Sequence, residues 1–239
     1  MRSILRIGTR TSQLALVQAR LVADLLRGTL GVESELVGIR TAGDRSDDTP
    51  FSELEGSGFF TKEIERAVLE GTVDLAVHSL KDLATETAAD LQLSAVLERA
   101  DPRDALLVAD RAGTAGARSG RADAGLAESG RADAAAGADP FAELAQGATV
   151  GTSSLRRRAF LARLRPDLSV KALRGNVPTR IEKLHDGHYD AIVLAAAGLD
   201  RLGLSDHISL RLPESEFLPA PGQGAIAIQT RADSLAVNE

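Results

Sequence analysis

The chain has 239 residues and a net charge of −6, from 28 Lys/Arg and 34 Asp/Glu. It has no cysteine and four histidines, which excludes disulfides, thiolate ligands, a thiol nucleophile and any cofactor tied to a cysteine sulfur of this chain, and makes a metal site improbable. The length suits one or two domains, no run of 18 apolar residues spans a membrane, no apolar signal core follows Met1, and the acidic balance argues against nucleic acid, so a cytoplasmic globular protein is expected.

Strand-like and helix-like segments alternate, which predicts an α/β fold with mixed, mostly parallel sheets. Ile4 to Gly8 reads as a strand. Thr11 or Ser12 caps a helix carrying Leu14, Val17, Leu21 and Leu25 on one face, and Gly28 or Gly31 ends it. Glu35 to Arg40 is a strand with Val37 and Ile39 on one side, Gly56-Ser57-Gly58 a loop, and Thr61 to Leu69 a helix. Val73 to His78, Leu93 to Leu97 and Ala105 to Val108 are short apolar runs of the kind a parallel sheet buries.

The segment 110–147 is different. Of its 38 residues 13 are Ala and 7 are Gly, and the hexapeptide Ser-Gly-Arg-Ala-Asp-Ala occurs at 119–124 and again at 129–134. So few large apolar residues cannot offset the entropy of ordering, and the segment reads as a mobile surface insertion, or more sharply as a lid.

Alternation then resumes. Thr149 to Gly151, Ser169 to Leu173 and Asp190 to Leu194 read as strands; Ser153 to Leu164, Val177 to His185 and Ala196 to Leu202 read as helices. Leu218-Pro219-Ala220-Pro221-Gly222 is a rigid connection, and Ala225 to Gln229 is a last strand.

Chemistry-bearing residues cluster where strands meet helices. In Gly151-Thr152-Ser153-Ser154-Leu155-Arg156-Arg157-Arg158 a strand gives way to hydroxyls, then to a helix start rich in arginine. Unpaired N–H groups, hydroxyl donors and guanidinium forks together suit an anion. Residues 151–183 hold nine Lys/Arg against Asp167 and Glu182, a local +7, and the rest of the chain carries −13. A polyanionic small molecule is one reading; a capped helix with a solvated basic face is the other. Leu173-Arg174-Gly175-Asn176 and Arg180 repeat the pattern, and Arg174 is expected to meet the 152–157 group beyond the strand ends. Thr9-Arg10-Thr11-Ser12 is a second such cup, which suggests a ligand held in a cleft between two domains. In His78-Ser79-Leu80-Lys81-Asp82 an acid stands beside a base at a strand end. It could move a proton or stabilise a cation, or be a salt-bridged loop, and His78 reads as structural.

These pieces resemble the porphobilinogen deaminase (hydroxymethylbilane synthase) family. The matching stretches are Arg6 to Ser12, Ala76 to Asp82, Asp101 to Ala105, Gly151 to Arg157, Leu173 to Asn176, Leu194 to Leu204 and Pro221 to Ala225. The resemblance implies two type II periplasmic-binding-protein-like α/β domains. The first is discontinuous, at 1–99 plus 222–239, and the second occupies 100–221, with the insertion at about 110–147. It implies a transferase that joins four porphobilinogen molecules, with loss of ammonia, into hydroxymethylbilane for tetrapyrrole (haem) biosynthesis. Asp82 would be the catalytic carboxylate. Arg10, Ser12, Lys81, Thr152, Ser153, Ser154, Arg156, Arg157, Arg174 and Arg180 would bind a dipyrromethane cofactor. Arg10, Phe60, Arg156, Arg180 and Gln223 would bind substrate.

The same resemblance exposes departures. The family attaches its dipyrromethane to a cysteine in a third domain, and neither that cysteine nor that domain is present in this sequence. Glu53 and Ser57 stand where the family carries lysines, and Leu83-Ala84-Thr85 lacks the usual proline. The expectation is therefore a monomeric deaminase-type enzyme, with a separate third-domain polypeptide as a candidate partner. The alternative is a truncated homologue that binds carboxylated ligands without chemistry.

Overall fold

The structure is a computed structural model that describes residues 4–45, 60–86, 88–109, 140–234 and 237. The Gly56-Ser57-Gly58 loop, Glu53 and positions 110–139 of the Ala/Gly-rich segment lie outside the described residues. The chain divides into two units. Unit 1 comprises Met1–Pro102, Asp200–Gly203 and Ala220–Glu239, and unit 2 comprises Arg103–Leu199 and Leu204–Pro219.

Unit 1 contains β1 (Leu5–Arg10), α1 (Gln13–Leu30), β2 (Ser34–Ile39), α2 (Ala42–Arg45), α3 (Lys62–Leu69), β3 (Leu75–Ser79) and β4 (Leu91–Val96). Unit 2 contains β5 (Asp104–Val108), β6 (Thr149–Gly151), α4 (Leu155–Leu164), β7 (Ser169–Lys171), α5 (Val177–His185), β8 (Ala191–Ala195), most of α6 (Ala196–Arg201) and β9 (Leu210–Arg211). The final strand β10 (Ile226–Arg231) belongs to unit 1. The sheet orders are β2-β1-β3-β10-β4 and β7-β6-β8-β5-β9.

In unit 1, β1 runs parallel to β2 and β3, and β10 runs antiparallel between β3 and β4. In unit 2, β6 is parallel to β7 and β8, and β5 is antiparallel to β8 and β9. Both units thus follow a mixed α/β plan. Among the described residues parallel and antiparallel ladders are equal in number, because β5 and β10, each the first strand after the chain changes unit, run against their neighbours.

Side-chain alternation along the strands sorts the core into a layer on each sheet face. In β5, Leu106 packs with Phe141, Val150, Leu161 and Phe217, whereas Leu107 packs with Leu173, Ile181, Ile192 and Leu199. In β3, Leu75 and Val77 join Ile7, Val22 and Ile226, while Ala76 joins Ile64, Val68 and Val73.

Three local findings differ from the sequence expectations. Helix α1 is capped by Ser12 and closed by Gly31 in the left-handed region, φ 65°, but its buried face is Ala15, Gln18, Ala19 and Val22. Leu21 and Leu25 stay 45% and 46% exposed, because small residues let the helix lie close on the sheet while the longer chains cover its flank. Second, Phe141 and Leu144, at the end of the Ala/Gly-rich segment, are buried in the unit 2 core, so this part has the apolar payload that 110–139 lacks. Third, β7 stops at Lys171, and Leu173 is a buried core residue beyond it.

Candidate functional site

In unit 1 the candidate residues gather beyond the carboxyl ends of β1 and β3. Arg10 ends β1, and its guanidinium lies 4.1 Å from the centre of the Phe60 ring, a cation–π pair. Ser12 caps α1 by accepting from the Ala15 N–H at 3.3 Å. Beyond β3 the chain turns through a 3-10 turn, Leu80–Asp82. This presents an exposed Lys81 and a half-buried Asp82. The Lys81 Nζ donates to Gln223 Oε1 at 3.3 Å. Among the described residues the Asp82 carboxylate makes no hydrogen bond or ion pair.

Gln223 is buried, and its Nε2 donates to Pro102 O at 2.7 Å while its own carbonyl accepts from Arg99 Nε at 2.8 Å. Next to it Gly224 has φ 91°, and a Cβ there would stand 2.4 Å from Ala100 O, so only glycine lets these two backbone stretches approach. Gln223, expected to bind substrate, thus has its amide committed within unit 1. The geometry brings Arg10 to Phe60 and Lys81 to Gln223.

His78, just before this turn, is buried, and burial pushes its imidazole down to about 4, partly offset by the Gln229 side chain. A neutral buried histidine fits the structural role the sequence suggested. Because its pKa is lower in the folded than in the unfolded chain, its contribution is complete above pH 6.5 and is lost as pH falls towards 4. Between pH 7 and 5.5 unfolding free energy should drop by about 1 kcal/mol on this account. Urea unfolding at the two pH values, for wild type and His78→Gln, measures it; an equal drop in both proteins would refute the assignment.

In unit 2 the cup after β6 is built by its own hydroxyls. Thr152 is buried and its Oγ1 accepts from the Ser154 N–H at 3.2 Å. Ser154 caps α4 by accepting from the Arg157 N–H at 3.4 Å. The Ser153 hydroxyl donates to Leu173 O at 2.8 Å and accepts from Leu173 N at 3.1 Å. That brace ties the turn before α4 to the turn before α5, next to the backbone of Arg174. Gly175, at φ 106°, makes the turn, and Asn176 caps α5 by accepting from Thr179 N at 3.0 Å. Arg180 Nε donates to Gly175 O at 2.7 Å and Lys183 Nζ to Arg174 O at 3.1 Å.

Two arginines of α4, Arg156 and Arg157, share an acid that the sequence reading gave no role. Asp104, fully buried at the start of β5, accepts from Arg156 Nη2 at 2.7 Å and from Arg157 Nε and Nη2 at 3.1 and 2.7 Å. Arg157 also donates to Val193 O at 3.0 Å and is buried; Arg156 donates to Leu218 O and keeps 22% of its side chain exposed. A second missed residue is Gln18, buried on α1, whose amide exchanges hydrogen bonds with the Ser79 hydroxyl at 3.1 and 3.2 Å. The signal for Asp104 was an acid opening an otherwise apolar strand. For Gln18 it was a polar residue in register with Ala15, Ala19 and Val22.

In each of the two units, hydroxyls and guanidiniums stand at helix starts beyond parallel strands. The family model described as porphobilinogen deaminase, dipyromethane cofactor binding domain, matches residues 5–239, and the chain belongs to the porphobilinogen deaminase family. The porphobilinogen deaminases of Geobacter sulfurreducens and Geobacter metallireducens are each 45% identical to it over 236 residues, 98% of this chain. The chain spans 65% of the length of these relatives. Among solved structures, the VFT2 domain of BvgS from Bordetella pertussis is similar at 16% identity and a TM-score of 0.49, over 99% of this chain and 84% of that one. Among the described residues no helix is long and apolar enough to cross a membrane.

Proposed function

We propose that the chain is the two-unit body of a hydroxymethylbilane synthase-type transferase, which condenses porphobilinogen units stepwise with loss of ammonia. The observation that carries this reading is Asp82: a half-buried carboxylate at the carboxyl end of β3, beside Lys81, with no hydrogen-bonding or ion-pair partner among the described residues. In each step the aminomethyl C–N bond of one porphobilinogen breaks and ammonia leaves. The positive charge left behind spreads onto the pyrrole nitrogen. The methylene carbon then bonds to a ring carbon of the next pyrrole, which gives up a proton. A carboxylate that accepts the pyrrole N–H stabilises that cation where it forms.

Porphobilinogen carries an acetate and a propionate, so carboxylates accumulate as the chain grows, and guanidinium forks suit them. In unit 1, Arg10, Ser12 and Lys81 would receive them, with Phe60 against Arg10 and Gln223 holding Lys81. In unit 2, Thr152, Ser153, Ser154, Arg156, Arg174 and Arg180 form the corresponding set, with Arg157 behind them, held by Asp104 and Val193 O. The donor chemistry fits the carboxylates of a dipyrromethane, a pair of linked pyrroles. The covalent anchor does not come from these 239 residues, which include no cysteine. A third domain carrying that cysteine, on a longer form of the chain or on a separate polypeptide, would supply it. A monomeric state and a cytoplasmic location complete the reading.

Glu53 and Ser57, where the family carries lysines, favour a second reading, a carboxylate-binding homologue without chemistry. Incubation of the chain with porphobilinogen, with absorbance read after acid oxidation, separates the two. Turnover, alone or with a third-domain polypeptide in trans, supports the transferase; its absence in both supports the binding protein. Under either reading Arg156→Ala should weaken porphobilinogen binding by about 2 kcal/mol, through loss of a charge-assisted hydrogen bond. Calorimetric titration measures it, and an unchanged affinity would remove Arg156 from the site.

A further inference from the structure

Helix α4 opens against its own dipole. Its first turn contains no acid, and Arg156, Arg157 and Arg158 follow one another there. Cations at a helix N-terminus are unfavourable, and only an anion from elsewhere corrects them. The chain supplies one such anion from 52 residues away in sequence. Asp104 is fully buried, and its two oxygens take three guanidinium N–H groups.

The sharing is unequal. Each nitrogen of the Arg157 guanidinium donates inside unit 2, to Asp104 or to Val193 O, and the residue is buried. Arg156 gives one N–H to Asp104 and one to Leu218 O. Of the five N–H groups a guanidinium carries, the others make no hydrogen bond among the described residues, on a side chain 22% exposed. Two guanidiniums meet at this one carboxylate, and the more accessible of them is Arg156. A ligand cannot take the place of an acid that is fully buried and holds three N–H groups.

We propose that Asp104 is a positioning residue for the carboxylate site of unit 2: it consumes Arg157 as an internal counter-ion and aims Arg156, which alone of the pair receives a ligand carboxylate. This rests on the carboxylate-binding reading given above and deepens it.

A double-mutant cycle on the full 239-residue chain tests it, with porphobilinogen as the probe and affinity measured by calorimetry. Arg156→Lys, which keeps the charge and loses the fork, should weaken binding about tenfold. Asp104→Asn, which keeps shape and removes the counter-charge, should also cost about tenfold. In the Arg156→Lys background Asp104→Asn should then cost less than about twofold, because a residue acting through Arg156 has nothing left to aim. Asp104→Glu, which restores the counter-charge, should recover most of the affinity lost by Asp104→Asn. If Asp104→Asn does not fold, the cycle is run with Asp104→Glu, whose smaller loss must also vanish in the Arg156→Lys background. Additive losses, an unchanged affinity in the Asp104 variant, or failure of both Asp104 variants to fold would overturn the proposal and leave Asp104 a structural ion-pair partner. If Arg156→Lys alone leaves binding unchanged, the carboxylate-binding reading itself fails, and the proposal with it.

Discussion

Asp82→Asn is expected to reduce turnover of porphobilinogen by a factor on the order of 10³ while leaving the fold intact. The substitution keeps size and one acceptor oxygen but removes the negative charge proposed to meet the pyrrolic cation. Three decades correspond to about 4 kcal/mol of transition-state stabilisation. Folding should be untouched, because the carboxylate is half-buried and makes no hydrogen bond or ion pair among the described residues. The measurement pairs kcat, in the enzyme completed with a third-domain polypeptide, with the thermal midpoint. A midpoint within a few degrees of wild type together with near-normal turnover would remove Asp82 from the chemistry.

Arg157→Leu has the opposite profile. It should lower the unfolding free energy by about 3 kcal/mol, the cost of leaving a buried charge short of a partner. Asp104 would keep Arg156, which holds the cost to the lower part of the range for a broken buried pair, but it would lose two of its three N–H donors, and the Val193 carbonyl would lose its guanidinium donor. Urea unfolding at neutral pH measures the change. A loss under about 1 kcal/mol would mean that the site relaxes and water reaches the carboxylate.

Much of this was legible because local chemistry and tertiary outcome agree. The cap at Ser12, the glycine at 31 and the boundaries Val177–His185 follow from turn and capping preferences that act within a few residues. The anion cups were visible for the same reason, since strand end, hydroxyl and helix start are adjacent in sequence. What escaped depends on distant partners. That Arg157 is internal is decided by Asp104, 53 residues away, and that Gln223 braces Lys81 is decided across 142 residues. The face of α1 was misjudged because hydrophobicity ranks leucine over alanine, whereas close packing of a helix on a sheet ranks them by size. The short β9 and the 3-10 turn at Ser205–His207 have too few residues for a periodic signal.

The position of β10 between β3 and β4 bears on how the protein is made. Unit 1 begins at the amino terminus, yet its sheet lacks an interior strand until residues 226–231 arrive, and Ile226 pairs with Ser79. Every described strand of unit 2 has been synthesised by residue 211 and its core residue Phe217 follows soon after, before β10 is made. Until β10 inserts, β3 and β4 both expose unpaired edges, the kind of edge on which nascent chains aggregate. Folding of unit 1 therefore ends with one long-range strand insertion. Substitutions in Ile226–Arg231 should then act on yield and aggregation in the cell before they act on catalysis.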